Sequence, residues 1–285
     1  MNPTTLSDQL LYAEGLMVQG QPEQALELLS RLAEDAEEYV DRNCPTTDEL
    51  QWFSFPTIFE RLAYRRVEND PRELRDVGEP LDRLYADLAL ANVQCGDYDQ
   101  AAVALRQAVR WNPMGCEHRL NLADLCRIAG DLREHLALSY SVFERASEAT
   151  HLVRAYVNFA SYFLAAENPR AAAACLRVAR SIDASDQALA ALLQQVAGTD
   201  GDPDTLSDDE AAEVLSAEGL PEGANAEIAV CLLMCAGDAA ELGQRDVATN
   251  LTIRARDLVG EQAAMALLAL IHDEDDAGKE ATDAS

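Results

Sequence analysis

The stretch YADLALANVQCGDYDQAAVALRQAVRWNP, Tyr85 to Pro113, decides the fold. Small and apolar residues recur in it at helical spacing on both sides of Gly96, the pattern of two amphipathic helices joined by a tight turn. Ala89 stands seven residues before Gly96, Ala101 five after it and Ala108 twelve after it. Antiparallel helices approach closely where the facing side chains are small. Tyr85, Leu88 and Leu105 are the bulky residues that would fill the gaps between such units.

The same frame recurs along the chain. Gly130 lies 34 residues beyond Gly96 in RIAGDLREH. Around Gly20 the frame gives Ala13, Ala25 and Leu32, and around Gly243 it gives Ala236, Ala248 and Ala255. A further copy, with Ala160, Ala172 and Ala179, has Asn168-Pro169 in place of the glycine turn. Self-similarity at this period marks stacked helical hairpins. The copy over Cys116 to Ser147 departs from the frame, with His135 at a small-residue position and Ser139 at a bulky one.

On these residues the chain resembles the tetratricopeptide repeat family. Tyr85 to Pro113 carries the resemblance best, including its closing proline, and Tyr156 to Asp183 follows it. The resemblance implies an all-α fold, a tetratricopeptide-like helical-hairpin solenoid. It would form one repeat domain over residues 1–271, with units near 6–35, 82–115, 116–149, 153–186 and 225–259. It also implies a concave surface, lined by the first helices, that binds an extended peptide or a helix.

The remaining segments are expected to join the same solenoid. Residues 46–80 read as a helical insert, opened by a Thr46–Glu49 capping box and broken into two helices at Pro56. Its aromatic residues Trp52, Phe53, Phe55, Phe59 and Tyr64 read as core joining the first repeat to the second, with an exposed docking surface as the alternative. Ser185 to Val196 and Asp208 to Ala217 read as another helix pair. An acidic loop at 198–207 swells its turn, and Ser207 with Glu210 reads as a capping box. Residues 261–271 read as a capping helix, and 272–285 as an acidic disordered tail.

Composition agrees with helix: the 285 residues include 49 alanines and 39 leucines against 14 glycines and 10 prolines. Charge is the outlier, with 51 acidic residues against 22 basic and a formal net charge of −29. The excess lies at the two ends. Residues 101–190 carry 10 basic and 9 acidic groups, so the middle of the chain is neutral. A chain this acidic repels polyphosphate, so nucleic acid is not an expected partner. The N-terminus lacks the basic and apolar regions of a secretory signal, and no run approaches the roughly 18 apolar residues of a membrane span. Seven scattered cysteines read as reduced thiols, and a cytoplasmic location follows as the expectation.

Catalysis needs converging groups, and the sequence offers no such set: no catalytic residue, metal ligand set or cofactor is expected. Cys231 and Cys235 at i and i+4 suit a core stripe or a metal pair. Asp200, Asp202 and Asp204 mimic the start of a calcium loop, but Pro203 and Thr205 break the pattern. His135 reads either as a functional insertion or as a partly exposed side chain at the edge of an imperfect helix contact.

Carrying the repeat frame across places Arg83 and Leu90, then Asn121, Asp124 and Arg127, then Arg154 and Asn158 at inward first-helix positions. Arginine's planar fork suits carboxylates, so these residues are the candidate peptide-binding set. The function expected is a non-catalytic scaffold for a protein or peptide partner, without a membrane role. The alternative is a structural or regulatory subunit that docks through its aromatic segment or its end surfaces. The tail, with Asp273, Glu274, Asp275 and Asp276, reads as a solubilising segment; folding back over the arginines is its alternative role.

Overall fold

The computed structural model describes residues 5–182 and 185–271, and these are mostly helical. The expected acidic tail at 272–285 lies outside the described residues. In chain order the elements are α1 (Leu6–Val18), α2 (Pro22–Asn43), β1 (Leu50–Phe53), α3 (Ile58–Glu68), β2 (Glu73–Asp76), α4 (Leu81–Cys95), α5 (Tyr98–Trp111), α6 (Cys116–Ile128) and α7 (Leu132–Phe143). After them come α8 (Ala149–Ala165), α9 (Pro169–Ile182), α10 (Gln187–Val196), α11 (Asp208–Ala217), α12 (Ala226–Glu241) and α13 (Arg245–Val259). Residues 261–271 form a last helix, α14.

Local chemistry sets the helix ends. Thr5 and Asp8 close a capping box at α1, Pro22 occupies the first turn of α2, and Asp97 caps α5 through the Gln100 N–H. The expected Ser207–Glu210 capping box opens α11.

Five hairpins reverse direction in the same way. Gln21, Asp97, Asp131, Asn168 and Gln244 each donate a backbone N–H to the carbonyl five residues back, at 2.8–2.9 Å. This bond satisfies a carbonyl that the helix end leaves free, and it needs a left-handed residue just before the donor. Gly20, Gly96, Gly130 and Gly243 take that conformation, and in the α8–α9 turn Glu167 takes it with φ 57°. The residue replacing glycine is therefore Glu167, not the Asn168-Pro169 pair. Counted from Glu167, the frame falls on Ala160, Ala172 and Ala179, all fully buried. A methyl group at Gly96 would meet no atom within 4 Å. Gly96→Ala is therefore expected to cost about 1 kcal/mol, the left-handed backbone penalty alone. A urea titration with an unchanged slope and a lowered midpoint would show it.

The segment 46–80 departs from expectation. Only Ile58–Glu68 is helical; Leu50–Phe53 and Glu73–Asp76 are strands, paired parallel with Leu50 opposite Glu73 and Phe53 opposite Asp76. No helix starts at Thr46, so that capping box does not form. Aromatic residues favour extended backbone, and Pro56 ends the strand before α3 crosses back over the pair. The aromatic side chains are largely core: Phe53, Phe59 and Tyr64 are buried, and Phe53 stacks on Phe55 with ring centres 4.8 Å apart. The Tyr64 hydroxyl donates to Asp70 at 2.9 Å, and Arg72 grips the same carboxylate while reaching Gln51 of β1. Arg72 holds the Asp70 carboxyl well below the usual carboxylate range. Burial, then the bond to Asp70, pushes Tyr64 up to about 12.

The chain divides into two compact units, Met1–Leu138 and Ser139–Ser285. The division falls within α7, in the copy whose second helix departs from the frame at His135 and Ser139. In the first unit α2 lies against α4, α4 against α5, and α5 against α6. Its main core includes Leu10, Leu29, Leu84, Tyr85 and Trp111. In the second unit α8 pairs with α9, α11 lies on α9, and α12 pairs with α13.

Candidate peptide-binding face

The candidate residues fall in both units: Arg83, Leu90, Asn121, Asp124 and Arg127 in the first, Arg154 and Asn158 in the second. Arg83 on α4 gives Nε and Nη2 to Oε1 of Glu14 on α1, at 2.9 and 2.5 Å. Asp87, one turn along α4, lies 3.9 Å from Arg83 Nε. Its Oδ2 atom is buried and accepts no hydrogen bond. Two carboxylates thus share one guanidinium. Burial first, then the Glu14 charge, push the Asp87 carboxyl up to about 7. Arg83 is thus paired within the fold while its side chain stays 37% exposed.

Leu90 is 47% exposed one turn beyond Asp87, and Leu11 is 58% exposed one turn before Glu14. An exposed leucine on each of two neighbouring helices, beside a charged cluster, makes an apolar and polar face that a partner side chain can cover. Glu14 is not among the candidate residues given above. The frame could have found it, because it stands six residues before Gly20 as Leu90 stands six before Gly96.

On α6, Asn121 and Asp124 are half-buried and Arg127 is exposed. On α8, Arg154 and Asn158 are both half-buried and lie one turn apart. Asn158 Nδ2 donates to Ser139 Oγ at 2.9 Å, and Ser139 is fully buried. The two departures from the frame therefore have structural roles. Ser139 receives Asn158. His135 is 2% exposed, not partly exposed as expected, and its Nδ1 lies 2.9 Å from the Ala123 carbonyl across the hairpin. A carbonyl only accepts, so Nδ1 carries the proton and donates.

A buried polar cluster that the sequence did not reveal sits under β1 and α4. Ser54 Oγ accepts the Leu81 N–H at 2.9 Å and lies 2.8 Å from the Glu79 carbonyl and 3.2 Å from Asp82 Oδ1. Asn112 Nδ2 reaches the other Asp82 oxygen at 3.4 Å. Pro80 makes no side-chain cap at α4, so Ser54, just past the end of β1, supplies that cap. Ser54→Ala is expected to cost about 1–2 kcal/mol, seen as an earlier urea midpoint, because it leaves buried polar groups without a partner. His118 is held below its usual range by burial, against the pull of Asp82 and Glu117. A cleft of about 440 Å³ opens here at the carboxyl ends of the strands, lined by Phe55, Asp76, Asp82 and Arg83 among others.

Burial pushes Cys126 up to about 11 and raises Cys44 and Cys175. No group of three or more His, Cys, Asp or Glu side chains among the described residues could hold a metal ion. None of the described helices is long and apolar enough to cross a membrane.

No family model matches this chain, and no curated protein is similar to it in sequence.

Proposed function

We propose that this chain is a tetratricopeptide-like, non-catalytic scaffold that binds a protein or peptide through the exposed face of its first helices. The observation that carries this reading is the α1–α4 face, where Leu11 and Leu90 stand exposed beside Glu14, Arg83 and Asp87. The five equivalent turns and the buried alanines at the frame positions support the repeat character. Affinity would come from covering the leucines, with the charged cluster setting register.

A photo-crosslinking amino acid at Leu90, compared with one at Val103, tests the reading. Val103 is similarly exposed but lies on α5. Defined adducts at Leu90 and none at Val103 are expected in extracts of the native host; equal labelling at both positions would sink it.

An assembly subunit is the second reading, and one feature favours it. The described end of the chain is a helix, α14, whose sequence EQAAMALLALI runs apolar from Ala263 to Ile271, with Met265 and Leu270 exposed. The aromatic segment drops out of this reading because Phe53 and Phe59 are buried. Sedimentation of the full chain separates the two, since the subunit reading requires association that Met265→Glu weakens.

A further inference from the structure

Helix α9 is the basic element of an acidic protein. It carries Arg170, Arg177 and Arg180 and no acidic residue, while the chain as a whole is at −29. Spacings of seven and three residues put the three arginines on one side of the helix. The acidic loop and the first turn of α11 lie against two of them. Arg177 Nε donates to Asp208 at 2.6 Å and its Nη1 to the Pro203 carbonyl at 3.1 Å, while Arg180 Nη2 donates to Asp204 at 2.7 Å. Arg170 and Arg177 also lower the Glu210 carboxyl, after its larger bonds to Ser207.

These ion pairs are not what holds the loop in place. Pro203 and Leu206 are buried, and Gly201 sits where an added methyl would crowd Leu164 and Val196. Asp202 bonds the N–H groups of Gly198 and Asp204, which fixes the local turns and answers the calcium-loop resemblance. The carboxylates of Asp204 and Asp208, by contrast, are 73% and 90% exposed, and the Arg177 side chain beneath is 23% exposed. Pairs of this kind contribute little to stability and exchange readily. Arg177 is partly desolvated, whereas the two carboxylates paired with the row stand largely in solvent.

We propose that the α9 arginine row is a binding surface for an acidic segment of a partner protein, and that Asp204 of the loop and Asp208 at the start of α11 occupy it as internal competitors. Arginine forks on a helix without acids suit carboxylates in series, and the loop shows the arrangement such a ligand would take. Because both carboxylates are tethered, their effective concentration suppresses binding from solution until they are displaced or neutralised. The proposal rests on the protein-binding reading above and adds a second surface, with its own control, to the α1–α4 face.

The test uses full-length protein and a fluorescein-labelled hexaglutamate peptide, with binding read by anisotropy at low salt. Wild type is compared with the double variant Asp204→Asn, Asp208→Asn, and with that variant carrying Arg177→Gln and Arg180→Gln as well. The opened variant is expected to bind about tenfold tighter than wild type or better, and the added arginine changes to abolish the gain. Equal affinity of wild type and opened protein would overturn the proposal, as would a gain that survives loss of both arginines. Asp204→Ser with Asp208→Ser gives a second opened form, and circular dichroism checks that helix content is kept. A flat result would leave the Leu90 adducts unaffected, so the two readings fail separately.

Discussion

Asp87→Asn is expected to stabilise the first unit at pH 8 by about 2 kcal/mol, and the gain is expected to vanish near pH 4. Burial and Glu14 raise the Asp87 carboxyl from its ordinary 3.8 to about 7. The folded state therefore holds a proton that the unfolded chain releases, and stability falls as pH rises from about 4 to about 7. Above that window the loss is complete. A change of this size corresponds to about 4 kcal/mol, and relaxation around a side chain that is 13% exposed reduces what a substitution recovers. Asparagine stays neutral, so the variant escapes the penalty. Both tryptophans, Trp52 and Trp111, lie in residues 1–138, which makes fluorescence a reporter of this unit during urea unfolding. A pH-independent gain would mean that the substitution acts through shape, and no gain would mean that Arg83 already neutralises Asp87.

Ala172→Leu is expected to be the more damaging change, destabilising the second unit by about 3 kcal/mol. Ala172 is fully buried on α9, five residues after the Glu167 turn, and Ala160, at the position seven before that turn, is fully buried on α8. Three further carbons at such a contact force the helices apart or push side chains off their rotamers. The tryptophans lie outside this unit, so circular dichroism is the appropriate measurement. A loss below about 1 kcal/mol would show that α8 and α9 can separate without penalty, and the small-residue frame would then have no packing meaning.

The hairpins were legible because their information is local and periodic. A left-handed turn residue, small side chains at fixed offsets and a capping residue all sit within one window of about 34 residues. Glu167 carries no glycine signal, although the alanines around it mark its position. The strands were not legible. Four-residue segments such as LQWF and ELRD are too short for periodicity to separate helix from strand, and the Phe53 strand is defined by a partner more than twenty residues away. Of the candidate face, Leu90 was found at an exposed position, whereas the engagement of Arg83 by Glu14 and of Asn158 by Ser139 depends on side chains 69 and 19 residues distant. The Ser54–Asp82–Asn112 cluster has no linear pattern at all.

The parallel strand pair has a consequence for the order in which the chain folds. Each hairpin closes on contacts made within one repeat, which favours rapid local formation. The strands β1 and β2 meet only after α3 has crossed between them, and Ser54 must also find the Trp111 carbonyl, at 2.9 Å, and the start of α4. Loop closure of this length precedes any stabilising contact. The small sheet should therefore be the late event in forming the first unit, and protection of the Ser54 and Val77 amides in pulse-labelled hydrogen exchange should lag behind that of the α4–α5 hairpin.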